Sequence, residues 1–343
     1  MGRWNRVSLV VLAGVAGAMP FLLGTDSYYI SVLVMAGIRS IVAIGLSLLM
    51  GYAGQISLGH GALFGLGAYS SGLLTTLHPQ SGWLAGILPL SPWTALVVAA
   101  VMTAAIAYAI GTPCLRLRGH YLAMATLAFG EIVVIFFVAM VDLTGGPSGF
   151  GGIPDLPYVG SFPAWLIDPE GGYNLFVYRD THYYFLVWIV VILTLIFSLN
   201  LIHSRVGRAL RSIHGSELAA STMGVNTAKY KVQVFVLSAI FASVAGSLYA
   251  HFVTFVSPTA CELKYSILLL TMVAVGGMAN VWGAVLGAVL LTLLPEYLRA
   301  FEDYDVLVYG GILIGILMFM PQGLLAGCIQ LIGKIKPVRK TTG

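Results

Sequence analysis

The 343-residue sequence predicts an all-α fold, a polytopic transmembrane helix bundle of about ten spans. Three observations carry that prediction. Hydrophobic residues make up 59% of the chain and charged residues only 9%, against about 25% charged in an ordinary soluble domain. The apolar residues gather into ten runs near the ~20 residues that a helix needs to cross a hydrocarbon core of ~30 Å. Stretches such as Tyr183 to Leu201 are apolar on every face, whereas a β-barrel strand alternates polarity over about ten residues.

In chain order the first run, 7–24, follows Arg3 and Arg6 and ends near Ala16-Gly17-Ala18, which has the look of a leader cleavage site. Pro20 would fall just after the cut, so a retained first helix is the simpler expectation. The second run, 28–50, carries Arg39 eleven residues in, near the bilayer midplane. It gives way to the glycine-dense stretch GYAGQISLGHGALFGLGAY (51–69), with Gln55, Ser57 and His60 inside otherwise apolar sequence. Backbone freed by such a break must be satisfied by protein or by a water-filled cavity, so 51–60 is expected to be a broken or re-entrant segment with these residues on the pathway. Run 60–77 then places Gly61 and Gly65 one turn apart, a face that admits another backbone.

Runs 93–113 and 120–141 follow, the latter with Glu131 near mid-depth. An unpaired charge there costs about 2.5–3.5 kcal/mol, so Arg39 and Glu131 are expected to pair or to line the pathway. Residues 142–181, opening DLTGGPSGFGGIPDLP, form a Gly- and Pro-rich loop suited to a connector or an external contact surface. After run 182–202, residues 203–229 are basic and rich in helix formers; Ser216 can start a short helix that Gly224 stops, the shape of a docking element. Runs 230–256, 263–280, 283–300 and 306–326 complete the bundle before a basic tail, 327–343. The break-plus-GxxxG device recurs at 276–282, with Asn280, followed by Gly283 and Gly287. Paired interruptions in the two halves of a chain suggest an internal repeat and a substrate path between them.

Charge sets the orientation. With ten spans and both termini in the cytoplasm, the inner side holds Arg3, Arg6, Arg116, Arg118, Arg205, Arg208, Arg211, Lys229, Lys231 and the tail residues Lys334, Lys336, Arg339 and Lys340, 13 of 17 basic residues. The outer side holds Asp26, Asp142, Asp155, Asp168, Glu170, Asp180, Glu262, Glu296, Glu302, Asp303 and Asp305, 11 of 13 acids. The net charge of +4 is therefore a solvated rim, with the tail near membrane lipid headgroups, and does not call for nucleic acid.

Catalytic classes find little support. No GxxxxGK occurs, and the glycines at 59–65 miss the dinucleotide spacing. Three scattered cysteines make neither a disulfide framework nor a metal site, so no metal and no cofactor in this chain is expected. Ser57 and His60 lack an orienting third group for hydrolysis. A proton-coupled secondary transporter using Glu131 stays open; a permease driven by separate ATPases, which bind ATP and Mg themselves, fits the 216–224 docking helix better.

The segments GLSLLMGYAGQISLGHGALFGLGAYSSGLL (45–74), RLRGHYLAMATLAFGEIV (116–133), LTGGPSGFGGIP (143–154), SRVGRALRSIHGSELAASTMGVNTAKYKVQVFVLSAIFASVAGSLYAH (204–251) and TMVAVGGMANVWGAVLGAVLLTLLPEYLR (271–299) together resemble the permease subunits of branched-chain amino acid ABC importers of the bacterial inner membrane, the LivM type in particular. The resemblance covers most of the chain and implies a single permease domain, 1–343, with a second related permease, two cytoplasmic ATPase subunits and a periplasmic binding protein as partners. Urea and short-amide permeases share the pattern. Glu217, Ala219, Ala220 and Gly224 are similar to the EAA---G coupling motif of such importers, in a variant form with Leu218 after the glutamate, and by resemblance seat in the ATPase cleft.

Overall fold

In the computed structural model the described residues are 3–23, 27–77, 89–117, 119–156, 179–298 and scattered positions from 310 to 327. Most of run 306–326 and of the tail, and residues 157–178 of the external loop, lie outside them. The elements are α1 (Arg3–Leu23), α2 (Ser27–Ser47), α3 (His60–Thr76), α4 (Pro92–Cys114), α5 (His120–Ala139), α6 (Val141–Thr144), α7 (Arg179–His203), α8 (Arg205–Gly215), α9 (Glu217–Thr222), α10 (Thr227–Val253), α11 (Leu263–Gly276) and α12 (Val281–Leu298). The only described strands, β1 (Phe150–Gly151) and β2 (Phe255–Val256), form one antiparallel pair.

The chain is thus an all-helical, multi-span bundle. Among the described residues six helices are long and apolar enough to cross a membrane: Tyr28–Tyr52, Pro92–Cys114, His120–Ala139, Arg179–His203, Thr227–Val253 and Val281–Leu298. The other expected runs coincide with α1, α3 and α11, or, for 306–326, lie mostly outside the described residues. α11 has 14 residues and at ~1.5 Å per residue reaches only about 21 Å, short of a ~30 Å core.

Burial grades the helices from centre to rim. The apolar stretch of α2 is 83% buried and that of α10 61%, against 28% for α4 and for α5. A helix that is apolar on every face belongs inside, and α2 meets that requirement by packing against α7, α10, α11 and α12. α10 in turn lies against α3 and α4. Its crossing with α3 is a reciprocal glycine contact: a Cβ on Gly67 would meet the backbone of Ser243, and one on Gly246 the backbone of Phe64. Small residues let backbones approach where no hydrophobic effect draws helices together in lipid.

The described part of the 142–181 loop is built into the bundle. Gly145, Gly146, Gly149 and Gly152 all take positive φ, which only glycine adopts without strain. The loop then pairs Phe150 with Val256 and Gly151 with Phe255. The Tyr183 hydroxyl accepts from the Leu156 N–H at 2.8 Å and donates to the His251 carbonyl at 2.9 Å. Arg179 reaches Asp155 at 2.7 Å. Residues 142–156 therefore form a fixed cap over the ends of α7 and α10.

Candidate functional site: the helix break and the α9 turn

α2 opens into a π-helical turn, Leu48–Tyr52, before the chain leaves helix. The Gln55 N–H bonds the Leu49 carbonyl at 3.1 Å, and Gly54 turns the chain at φ +68 beneath His214. Residues 54–59 are then non-helical until His60 starts α3. Their freed groups find protein partners. Leu58 N–H donates to Thr126 Oγ1 at 3.1 Å. Fully buried His60 joins Ser57 through Nδ1 at 2.9 Å and Ser238 of α10 through Nε2 at 2.6 Å. A neutral imidazole offers one donor and one acceptor, and the two hydroxyls rotate to suit either tautomer. Gln55 is 4% exposed and its Oε1 is without a partner. It lines a cavity of about 110 Å³ with His214, Glu217 and Lys231, room for a few waters.

The α9 turn contributes Glu217 to the wall of that cavity. α8 buries Gly207, Leu210 and Ile213, one face, and exposes Arg205 and Arg208. Ser216 Oγ then caps α9 by accepting the Ala219 N–H at 3.3 Å. Gly224, at φ +80, ends it, and Val225 N–H returns to the Ala220 carbonyl at 3.1 Å. Within the motif Ala220 is buried, Ala219 exposed and Glu217 half-buried, while Leu218 and Met223 stand 69% and 83% exposed. Glu217 Oε1 meets Lys231 Nζ at 2.8 Å, and the Lys231 side chain is only 5% exposed. The sequence reading had put Lys231 in the basic rim. Its place one turn inside α10, at the start of the apolar run, is the available signal that it needs a carboxylate partner.

The second interruption meets the first. Gly51 packs on the Met278 backbone, whose carbonyl accepts from Ser47 Oγ at 3.1 Å. The 277–280 stretch is a tight turn, unlike the opened π turn and non-helical segment of 48–59, so the two breaks differ in form. Asn280 Oδ1 caps α12, accepting the Trp282 N–H at 3.1 Å and the Gly283 N–H at 3.5 Å. Gly283 rests on Gly276 and Gly287 on the Met272 carbonyl, closing the α11–α12 hairpin. Gly61 and Gly65 face the 261–262 segment: Gly61 N–H donates to Ser266 Oγ at 2.8 Å, and Gly65 leaves space for Cys261.

The expected ion pair is not formed. Arg39, in the bundle, donates to Thr292 Oγ1 at 3.3 Å. Glu131 is exposed on α5 beside Ile132 and Ile135, which are 64% and 63% exposed. The two charges lie on a central and an outer helix, Arg39 half-buried and Glu131 exposed.

A family model described as branched-chain amino acid transport system / permease component matches residues 28–319. The chain belongs to this permease family. It is 33% identical over 331 residues to the high-affinity branched-chain amino acid transport system permease protein LivM of Escherichia coli K12, covering 94% of this chain and 75% of that one. The LivM of Salmonella typhimurium LT2 matches to the same extent. LivH of Escherichia coli K12 is 25% identical over 295 residues, 83% of this chain and 90% of its own. No solved structure matches.

Proposed function

We propose that this permease is the membrane subunit of an ATP-driven importer that carries branched-chain amino acids into the cytoplasm by alternating access. The observation that carries the reading is the α9 turn: two exposed apolar side chains, Leu218 and Met223, held out by a helix that is itself ion-paired to α10. Exposed apolar residues on a short, rigidly capped turn suit insertion into a partner's cleft. Glu217, Ala219, Ala220 and Gly224 would set the turn's shape and seat it in an ATPase subunit.

The geometry then supplies a lever. Lys231 holds Glu217 at the inner end of α10, and Ser238, two turns along the same helix, holds His60 at the break. A displacement of α9 by ATPase closure would travel ~10 Å along α10 to the segment carrying Gln55, Ser57 and His60. That segment abuts the turn bearing Asn280, so both interruptions would move together as the inner gate. ATP and Mg would bind only in the two cytoplasmic ATPases.

The remaining partners follow from exposed surfaces. Glu131 in the middle of an exposed apolar face would cost about 2.5–3.5 kcal/mol against lipid; a second related permease covering α5 would relieve it. A periplasmic binding protein would dock on the ordered cap at 142–156. Both termini would lie in the cytoplasm, with the basic tail against anionic lipid.

The test is reconstitution in liposomes with the ATPases, the second permease and the binding protein. Leu218→Asp should abolish leucine uptake and ATPase co-purification while leaving the melting temperature of the permease unchanged. Leucine uptake driven by a pH gradient with no ATPase present would overturn the assignment.

A further inference from the structure

Arg39 is a cation that the lever does not use. It lies at the inner end of the one accessible face of α2. Tyr28 is exposed, and Val32, Met35 and Arg39 are half-buried at spacings of four, three and four residues, a single helical stripe. From Ser40 to Gly51 every residue is buried. The accessible face therefore runs from the external end and closes at the guanidinium.

The surroundings of Arg39 are polar but uncharged. Thr292 Oγ1 accepts one N–H at 3.3 Å and donates its own O–H to the Ala288 carbonyl at 2.7 Å. The Tyr265 hydroxyl lies beside the guanidinium. Tyr265 and Tyr249 pack against Phe64 with ring centroids 4.9 and 5.4 Å away, forming an aromatic wall. Among the described residues no carboxylate stands within ion-pair distance of Arg39.

A guanidinium carries five N–H donors in a fork that matches a carboxylate, and Thr292 takes one of them. An intramembrane charge without a resident counter-ion is costly and marks a pathway. A permanent counter-ion would occupy the fork; a travelling one would not. We propose that Arg39 receives the carboxylate of the transported amino acid half-way across the membrane, with the Phe64–Tyr249–Tyr265 wall beside it for the aliphatic side chain. This rests on the substrate reading above.

The test uses the complete reconstituted importer. Arg39→Gln should lower leucine uptake by about tenfold or more, the loss expected when a charge-assisted hydrogen bond is removed, with basal ATP hydrolysis and assembly retained. Arg39→Lys should restore part of it. Met35→Cys, one turn outward on the same face, gives a readout that a structural role would not move. Its reaction with a water-soluble thiol reagent from outside should be slowed by leucine when Arg39 is present and not when it is Gln. An unreactive Met35→Cys, or equal protection in both backgrounds, would overturn the proposal. Loss of the second permease from Arg39→Gln complexes would overturn it too, by assigning the carboxylate to that subunit. Normal leucine uptake by Arg39→Gln would remove the carboxylate site alone, whereas no uptake by the unaltered importer would remove the substrate reading with it.

Discussion

Lys231 shows how a single side chain joins the helix bundle to the α9 turn. Its ammonium, 5% exposed, has Glu217 as an ion-pair partner, and Glu217 keeps 25% exposure. Removing one member of a buried pair costs about 3–5 kcal/mol, but the surviving Glu217 can rehydrate here, so Lys231→Met should cost about 1–3 kcal/mol. Lys231→Met with Glu217→Gln should recover part of that loss, because no charge is left stranded. Thermal unfolding of the four proteins of the cycle measures the coupling, and additivity would show that the pair contributes nothing. The glycines of the α3–α10 crossing set a steeper limit. Gly246→Leu drives a side chain into the Phe64 backbone, and overpacking costs about 1–3 kcal/mol or more. We expect loss of folded protein on size-exclusion chromatography, whereas Gly215→Leu, with nothing within 4 Å of the added Cβ, should elute normally.

At the scale of elements, the external cap depends on a few buried hydrogen bonds. Tyr183 is 3% exposed, and its hydroxyl serves both Leu156 N–H and the His251 carbonyl. Tyr183→Phe keeps the ring against Phe252, orphans the Leu156 N–H and leaves the His251 carbonyl only the 3.5 Å bond from Arg179, which costs about 1–3 kcal/mol. Proteolysis of 142–156 should accelerate, with α7 itself intact; an unchanged rate would mean that the β1–β2 pairing, the Arg179–Asp155 pair and the His251–Pro154 bond hold the cap without the hydroxyl. The sequence made some of this legible and hid the rest for physical reasons. Ser216 and Gly224 announce the ends of α9 because capping and positive φ are local demands. Hydropathy finds α2, α4, α5, α7, α10 and α12 because burial in lipid is a property of composition. Whether Asn280 faces a passage or caps α12, and whether Arg39 meets Glu131, depends on which helices are neighbours, and a hydropathy pattern carries no such information. The cap formed by 142–156 was equally unreadable, since its partners lie about a hundred residues away on α10 and β2.

The whole molecule is polarised, and that polarity is open to direct measurement. The α9 turn and the external β pair lie on opposite sides of the bundle in the orientation that basic residues dictate. Leu218 is 69% exposed on the first and Phe255 42% exposed on the second. Single cysteines at these positions, with Cys114 and Cys328 replaced by Ser, report which side each faces. Cys261 can remain: it is 2% exposed, and burial pushes its thiol well above the usual range, which leaves little of the reactive thiolate. An impermeant maleimide applied to spheroplasts should label Phe255→Cys and spare Leu218→Cys, and inside-out vesicles should give the reverse. Addition of the ATPases to the vesicles should then protect Leu218→Cys, since the reagent and the partner compete for the same turn. Labelling of Leu218→Cys in intact spheroplasts would invert the topology, placing the coupling turn where no ATP is available and removing the energetic basis of the lever between Glu217 and His60.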